Sequence, residues 1–333
     1  MNGNPWYVGR EQVERLLDRD LAIASQRLAF QALVEGTGEL PGKIMHASRF
    51  DGSVAFAYLA RVSAHSGVTA KIGTVVPANA ARGLPTVSAV INLFDPGTGR
   101  LTAVLDGDVI TTRRTAAASA VAIDALARPE SAELGIIGSG EQALAHARAI
   151  TRVRGLRAIR MWSPTRARRE RAAQTLTGEL GLTVTAVDTA RQAVTDMPLI
   201  VTCTLSRSPV VRGAWLADGC TVISVGSFEP TRCEVDHEVL RRAAAVVVDD
   251  PATAAEHAGP VVQALKAGQL TESQLTPLGG VLTGRLAGRR SAADIVFYNS
   301  VGLGIQDAAA AWAVLDAAQA AGIACRLAEA KEV

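Results

Sequence analysis

The sequence is poor in residue types that mark several common functional classes. Only four of its 34 lysine and arginine residues are lysine, and 32 acidic residues leave a formal charge of +2 over 333 residues. Aromatic residues make up only 4% of the chain, and no basic block with interleaved aromatics occurs. We therefore expect no nucleic-acid-binding surface. The arginine-rich stretch at residues 166–171 is interpreted as the solvated face of a helix.

Cysteine and histidine are also scarce and widely spaced. The four cysteines form no C-x-x-C pair and the five histidines have no metal-ligand spacing, which predicts reduced thiols and no metal site. No apolar run is long enough to cross a membrane, and the first residues do not resemble a signal peptide. The expected location is the cytoplasm, without membrane contact.

A glycine turn between an apolar strand and a helix is the most informative motif present. In residues 133–147, Gly138, Gly140 and Ala143 stand at G-x-G-x-x-A spacing. In a dinucleotide site, Gly138 makes the tight turn, Gly140 lets the backbone approach a pyrophosphate, and Ala143 allows close packing of helix on strand. The helix N-terminus would then face the phosphates. The alternative is an ordinary strand–helix corner.

Short apolar strands alternate with helical stretches after this turn. The predicted strands are residues 157–162, 183–187, 199–204, 221–225 and 245–248. The alternation predicts an α/β fold with a Rossmann-type, doubly wound and mostly parallel sheet. Such sheets bind ligands at the carboxyl ends of their strands. Those ends are residues 138–143, 163–166, 203–207 and 226–230.

The first hundred residues carry a different pattern, typical of a smaller α+β domain. A helix is predicted over residues 10–35. Alternating runs separated by Gly and Pro turns predict an antiparallel sheet with strands at residues 54–62, 69–76, 85–92 and 101–106. The helical tail at residues 303–321 is nearly uncharged, and we expect it to cover this sheet or a partner subunit. Exposing so many apolar positions would be costly, which favours a homodimer.

Lys71 lies in the middle of one of these strands, between Ala and Ile. Burying an unpaired ammonium group is expensive, so its place needs a reason. Either the side chain points to solvent on an edge strand, or it faces a cleft and meets an anionic or carbonyl substrate. Both interpretations stay open at this point.

Arg113 and Arg114 stand where a helix of small residues is predicted to begin. Arginine can bind a carboxylate through two N–H groups, and a helix N-terminus also attracts anions. Their position between the two domains favours substrate binding. Helix capping or an interdomain salt bridge is the alternative.

Together these motifs resemble the ornithine cyclodeaminase/mu-crystallin family. The resemblance rests on Lys71 in its strand, the glycine turn, and the segments NAARGLPT (79–86), FDPGTG (94–99), DGDVITTRRTAA (106–117) and VFYNSVG (296–302). It implies a homodimer with a substrate-binding and dimerisation domain, residues 1–114 with a C-terminal helix at about 305–333. Residues 115–304 would form an NAD(P)-binding Rossmann domain, with cofactor and amino acid in the cleft between the domains.

The resemblance also implies roles for individual residues. Lys71 and Arg114 would be catalytic and contact the substrate carboxylate or imine, with Lys43 where many members have Arg. Tyr58, Phe228 and Val301 would border the substrate. The residues implied to contact the cofactor are Thr86, Arg114, Gly138, Gly140, Glu141, Gln142, Val225 and Ser300. Thr204 joins them because it lies at the carboxyl end of a predicted strand.

Two departures distinguish this chain from the cyclodeaminases that it resembles. Those enzymes carry an acidic residue after the fifth strand and a glutamate before the lysine, where this chain has Phe228 and Tyr58. Ammonia loss and ring closure need positioned acid/base groups, so hydride transfer is favoured. We expect an NAD(P)H-dependent imino acid (ketimine) reductase or amino acid dehydrogenase that acts on a small α-imino or α-keto acid. The alternatives are an ammonia-releasing ornithine or lysine cyclodeaminase, a diaminopropionate-biosynthesis dehydrogenase, and a non-enzymatic NADPH-binding crystallin-like protein.

The cofactor preference is predicted from the end of the second strand of the nucleotide domain. NAD enzymes usually place Asp or Glu there to bind the ribose, whereas this chain has Ser163, Thr165 and Arg166. These side chains suit a 2′-phosphate, so NADP(H) is preferred and NAD(H) is the alternative. Arg166 could instead belong only to the solvated helix face.

Overall fold

The computed structural model describes residues 4–327, apart from the side chains of Ala80 and Ala81, and its strands form two separate sheets. The strands are β1 (Trp6–Val8), β2 (Ile44–Ala47), β3 (Val54–Ala60), β4 (Thr69–Val75), β5 (Val87–Phe94), β6 (Leu101–Asp106), β7 (Glu133–Ile137), β8 (Ala158–Trp162), β9 (Thr183–Ala186), β10 (Leu199–Thr202), β11 (Thr221–Ser224), β12 (Ala243–Val248), β13 (Leu275–Pro277), β14 (Ile295–Asn299) and β15 (Cys325–Arg326). The helices are α1 (Arg10–Leu16), α2 (Arg19–Glu35), α3 (Gly107–Leu126), α4 (Glu141–Ile150), α5 (Arg166–Leu180), α6 (Ala190–Val194), α7 (His237–Arg242), α8 (Pro251–His257), α9 (Gly259–Lys266), α10 (Leu278–Leu282) and α11 (Gly304–Ala320).

The first of two compact units combines Met1–Arg114 with Leu303–Val333. Its sheet has the strand order β15-β1-β6-β5-β4-β3-β2. Strands β2 to β6 pair antiparallel, each with the next along the chain, while β1 lies parallel to β6. This confirms the antiparallel sheet predicted from the alternating runs.

Helix α11 covers one face of this sheet. It packs against α2 and against strands β3 to β5, and all its residues from 304 to 311 are buried. The apolar tail therefore covers the sheet of its own unit, which was one of the two expectations. The apolar side chains of α11 are buried within the first unit, so they give no reason to expect a partner subunit.

The second unit is the continuous segment Thr115–Gly302. Its sheet has the order β13-β12-β14-β11-β10-β7-β8-β9, and all its neighbouring strands are parallel. The chain winds outward from β7 through β8 and β9, then returns to β10 on the other side. This confirms the doubly wound α/β fold, whose ligand edge lies where the winding reverses, between β7 and β10.

Local boundaries differ from the prediction at two helices. The helix expected over residues 10–35 is two helices, because the Asp18 side chain accepts a hydrogen bond from the Leu21 amide and begins α2 anew. Helix α3 begins at Gly107 rather than near Arg113, because Asp106 accepts from the Val109 amide. In each case a short acidic side chain satisfies an amide of the first turn.

Three further observations concern metal ions, membrane spans and thiols. Within residues 4–327, no group of three or more His, Cys, Asp and Glu side chains is placed to hold a metal ion. No helix in the same range is both long and apolar enough to span a bilayer. All four cysteines are free, and burial raises the pKa of Cys220 to about 11.

Candidate active site

A buried cluster of charged side chains lies in the first unit, where β4, α3 and α11 meet. The carboxylate oxygen Oδ1 of Asp307 lies 2.9 Å from Nζ of Lys71 and 3.0 Å from Nε of Arg114. The three residues are 0%, 2% and 5% exposed, respectively. Two cations therefore share one carboxylate away from water. With Lys71 protonated, the cluster carries a net charge of plus one.

The sheet order and the burial of Lys71 exclude one of its two interpretations. Strand β4 lies between β3 and β5, so it is not an edge strand. Lys71 is on the buried face, whereas the next residue, Ile72, is 53% exposed on the other face. The interpretation of Lys71 as a solvent-facing edge residue is wrong.

A second acceptor holds the ammonium group of Lys71. Nζ lies 2.6 Å from Oγ1 of Thr111, one turn inside α3. Burial lowers the pKa of Lys71, since the charged form loses hydration, and the nearby Arg114 lowers it as well. Asp307 opposes both effects because its negative charge favours the protonated amine. Such a poised amine is suited to donating a proton.

Aromatic rings and a second lysine flank this group. Tyr58 lies directly opposite Lys71 in the β3–β4 pair, and its ring centre is 5.8 Å from Nζ of Lys71. Nζ of Lys43 is 6.0 Å from the same ring, and the ring of Phe56 is 5.9 Å from Nζ of Lys71. The structure thus brings together all four substrate-side residues predicted within the first unit: Lys43, Tyr58, Lys71 and Arg114.

The two neighbouring arginines of α3 have different surroundings. Arg113 donates to the backbone carbonyls of Glu14 and Leu17 at the end of α1, so the capping interpretation holds for it. Arg114 points into the charged cluster. Because α3 begins at Gly107, neither arginine stands at a helix N-terminus, and that part of the expected anion attraction is wrong.

The glycine turn of the second unit forms an open cradle. Gly138 has φ +132° and a Cβ there would lie 2.7 Å from the carbonyl oxygen of Cys203, so only glycine fits. Gly140 precedes α4, and a Cβ on it would meet nothing within 4 Å. Ala143 is fully buried. Space beside the first turn of a helix, where backbone amides point outward, fits the pyrophosphate of a dinucleotide.

The end of β8 is linked to this turn through two hydroxyl groups. Oγ of Ser163 lies 2.8 Å from Oγ of Ser139. Thr165 immediately precedes α5, and Arg166 is exposed and pairs with Glu170 at 2.7 Å. No carboxylate occupies the positions that follow β8 directly. Strand β8 ends directly before these residues, and Arg166 already has a surface partner.

A buried glutamate that the sequence analysis missed organises the ends of β10 and β11. Glu234 accepts hydrogen bonds from the amides of Thr204 and Gly226 at 2.6 and 2.7 Å, and from the Ser224 hydroxyl at 2.8 Å. It is fully buried. The segments that carry the predicted residues Thr204 and Val225 are therefore held by one carboxylate.

A buried aspartate plays the same part at the end of β14. Asp249 accepts from the amides of Val301 and Gly302, both at 2.8 Å, and from the Tyr298 hydroxyl. Ser300 also donates to it, at 3.3 Å. Because β14 lies between β11 and β12, Ser300 stands in line with Val225, Thr204, Gly138 and Ser163 along one edge of the sheet.

Two other predicted residues have surroundings that bear on their roles. Phe228 stacks under the guanidinium of Arg232, whose carbon is 4.4 Å from the ring centre. The next residue, Glu229, pairs with Arg232 at 3.0 Å.

Thr86 belongs to the first unit, just before β5, and its carbonyl accepts from the Val76 amide. It is therefore in a different unit from the glycine turn.

Sequence signals for the missed carboxylates exist but are faint. Asp307 and Asp316 are the only charged residues of α11, so both stand out from the sequence of an otherwise uncharged helix. Asp249 directly follows the apolar strand β12. Glu234 follows no pattern, because its partners come from two loops that only the fold brings together.

Comparison with known proteins gives one family. The model of the ornithine cyclodeaminase/mu-crystallin family matches residues 8–322. The ketimine reductase mu-crystallin of Mus musculus is 32% identical over 255 residues, which is 76% of this chain and 77% of that protein.

Solved structures of high similarity cover nearly the whole chain. The Delta(1)-pyrroline-2-carboxylate reductase of Thermococcus litoralis, in complex with NADH and L-proline, has a TM-score of 0.93 at 29% identity, over 97% of this chain and 100% of that one. An archaeal alanine dehydrogenase, described as a dimer with bound NAD, has a TM-score of 0.91 at 29% identity, over 98% of this chain and 99% of that one.

Proposed function

The chain belongs to the ornithine cyclodeaminase/mu-crystallin family, and from this premise we propose that it reduces the C=N bond of a small α-imino acid, or catalyses the reverse oxidation of the amino acid. An α-keto acid together with an amine would enter the same reaction through the imine. The enzyme is thus an NAD(P)-dependent oxidoreductase acting on C–N bonds. The observation that carries this proposal is the buried group of Lys71, Arg114 and Asp307.

The charge of that group supports an anionic substrate. Two cations buried with one carboxylate leave a positive charge that is costly until an anion neutralises it. Nη2 of Arg114 has no hydrogen-bond partner within residues 4–327, whereas its Nε and Nη1 bind Asp307 and Gln306. We propose that the substrate carboxylate binds Nη2 of Arg114 and the ammonium of Lys43. This would place the C=N nitrogen within reach of Lys71.

The glycine turn supports a nicotinamide dinucleotide as cofactor. We propose that its pyrophosphate lies against Gly138, Gly140 and the first turn of α4, with Glu141 and Gln142 beside it. When bound, the nicotinamide supplies or accepts the hydride. NADP(H) is the proposed preference, since Ser163, Thr165 and Arg166 stand where an acidic residue would repel a 2′-phosphate.

Phe228 argues against cyclodeamination. An aromatic ring cannot accept or donate a proton, and the ring of Phe228 already stacks on the guanidinium of Arg232. The neighbouring Glu229 is already paired with Arg232, so it is a poor replacement. We therefore propose a shorter or less polar substrate side chain than that of ornithine or lysine.

A homodimer is proposed on the basis of the outer face of the first unit's sheet. Ile44, Ala57, Ile72 and Val90 lie side by side across β2 to β5, and three of them are exposed. Monomeric proteins rarely expose such a row, and the similar archaeal protein is described as a dimer. The free thiols suit a reducing compartment, in keeping with the proposed cytoplasmic location.

One assay panel tests the proposed reaction. Keto acids with ammonia or methylamine, cyclic imino acids, ornithine and lysine are each supplied, and both NAD(P)H absorbance and ammonia release are followed. The proposal expects NAD(P)H consumption with imino acids and no proline or pipecolate from the diamino acids. Rapid ring-closed product with stoichiometric ammonia would identify a cyclodeaminase. NADPH binding without turnover of any compound would favour the non-enzymatic alternative.

A further inference from the structure

The ammonium group of Lys71 has three N–H bonds, and the structure assigns acceptors to two of them. One N–H donates to Oγ1 of Thr111 at 2.6 Å, and another to Oδ1 of Asp307 at 2.9 Å. The third has no hydrogen-bond acceptor within residues 4–327. The ring centres of Phe56 and Tyr58 lie 5.9 and 5.8 Å from Nζ of Lys71.

Thr111 can act towards Lys71 only as an acceptor. Its own hydroxyl hydrogen donates to the carbonyl oxygen of Gly107, at 2.5 Å, and a carbonyl cannot donate in return. Asp307, as a carboxylate, also only accepts, and its Oδ1 already binds Nε of Arg114. Both contacts therefore require an N–H from Lys71, whichever protonation state the amine has.

These two acceptors restrict which proton Lys71 can release. A neutral amine keeps two N–H bonds, which suffice for Thr111 and Asp307, and its lone pair then takes the third position. Losing any other proton would leave a buried acceptor facing a lone pair, which is unfavourable. Lys71 can therefore release or take up a proton only at the position of its third N–H bond.

We propose that Thr111 and Asp307 are positioning residues that direct proton transfer from Lys71 along its third N–H bond to the substrate nitrogen. The inference rests on the proposed function. In the reduction, the C=N carbon takes the hydride and the π electron pair moves to nitrogen. That nitrogen bonds the proton as the third Nζ–H bond breaks, which leaves Lys71 as a neutral amine until water reprotonates it. The reverse oxidation uses the same lone pair as base.

The charges around Lys71 determine the expected dependence on pH. Asp307 on α11 and, more weakly, Asp108 on α3 favour the ammonium, whereas burial and Arg114 on α3 disfavour it. Lys43 and Tyr58 also face this region, as described above. Since the pKa of Lys71 is below its ordinary 10.5, reduction should fail above that lowered pKa. Replacing Asp307 by a neutral side chain removes the negative charge that favours the ammonium, so the pKa of Lys71 should fall further.

Kinetics of four variants test this proposal against a merely structural role. Thr111→Val should lower kcat about tenfold to a hundredfold, the lower part of the range for a general acid, with little change in the alkaline limb of the pH profile. Thr111→Ser keeps the acceptor and should restore most of the rate. Asp307→Asn should lower kcat and also shift the alkaline limb of kcat/KM to lower pH. Asp316→Asn, on the exposed side of the same helix, is the matched control and should leave both unchanged.

A second measurement does not require turnover. The chain has only four lysines, so labelling lysine with 13C at Cε gives four resonances, and Lys71→Arg assigns the one of interest. Its titration midpoint should lie below 10.5 in the unmodified protein and lower still in Asp307→Asn. A wild-type protein that reduces no imine would refute the proposed function, whereas this titration would still test whether Asp307 favours the charged form of Lys71. Equal rates for Thr111→Val and the unmodified enzyme, or an unchanged midpoint in Asp307→Asn, would overturn the inference.

Discussion

Lys71 combines three properties that rarely occur together: it is a scarce residue type in this chain, it is buried, and it lies in mid-strand. Replacing it by methionine keeps a similar volume and removes the amine, so the fold and cofactor binding should persist. Turnover should fall by about two orders of magnitude or more, the usual scale for a lost general acid or electrostatic group. Steady-state rates and NADPH titration of Lys71→Met measure both effects. Lys266→Met, at an exposed position on α9, is the control. Unchanged turnover in Lys71→Met would exclude Lys71 from the chemistry.

Arg166 is the residue on which the proposed preference for NADP(H) most depends. Arg166→Ala should weaken NADPH binding about tenfold to a hundredfold and leave NADH binding nearly unchanged, because only NADPH carries the 2′-phosphate. The pair with Glu170 competes for the guanidinium, so Glu170→Gln should bind NADPH at least as tightly as the unmodified protein. Fluorescence titration with both cofactors measures these constants. Tighter binding of NADH than of NADPH by the unmodified protein would contradict the preference.

Single residues were predicted where their type alone was unusual, and missed where their role depends on a distant partner. Lys71 stands out as a charge between Ala and Ile, and Arg114 stands out as a charge just before a run of small residues. Asp307, which neutralises part of their charge, is 236 residues from Lys71 along the chain. Neither periodicity nor spacing reports such a pairing, since it exists only after α11 packs on the sheet.

At the scale of elements, the glycine turn contains two glycines with different surroundings. Gly138→Ala should destabilise the protein by about 1–3 kcal/mol, because its positive φ and the Cys203 carbonyl both oppose a side chain. Gly140→Ala should preserve stability to within about 1 kcal/mol, since its φ is −86° and the space beside it is open. It should instead weaken cofactor binding by roughly tenfold, about 1.4 kcal/mol, because the methyl group occupies the cradle. Thermal unfolding and NADPH titration of both variants separate these effects. Equal loss of stability in the two variants would show that the turn is only a structural corner.

Strand and helix types were predictable because burial on one face imposes a period of two or of 3.6 on the sequence. Their exact ends were not, because they depend on single side chains such as Asp18 and Asp106 that satisfy amides of a first turn. Strand β14 was recognised as part of a family segment but not as a strand. Its five residues are all buried, so no alternation marks them.

At the scale of the whole molecule, the apolar row on the outer sheet face provides a test of self-association. Ile72→Glu places a charge in the middle of that row, directly between Ala57 and Val90. If two copies meet there, the buried charge should shift the protein to monomers at micromolar concentration. Light scattering after size-exclusion chromatography measures the mass. Leu28→Glu, at an exposed apolar position on α2, should leave the mass unchanged. A monomeric unmodified protein, or a dimer that persists in Ile72→Glu, would contradict an interface on this face.

The first unit consists of two chain segments, one before and one after the second unit in the sequence. Its two segments are therefore synthesised at different times. A ribosome that adds 5–20 residues per second needs roughly 10 to 50 s to pass from Lys71 to Asp307, 236 residues later. The second unit, Thr115–Gly302, is synthesised during that interval, while Lys71 and Arg114 still lack the carboxylate of Asp307. The buried cluster of Lys71, Arg114 and Asp307 therefore forms last during synthesis, when the codons for α11 have been translated.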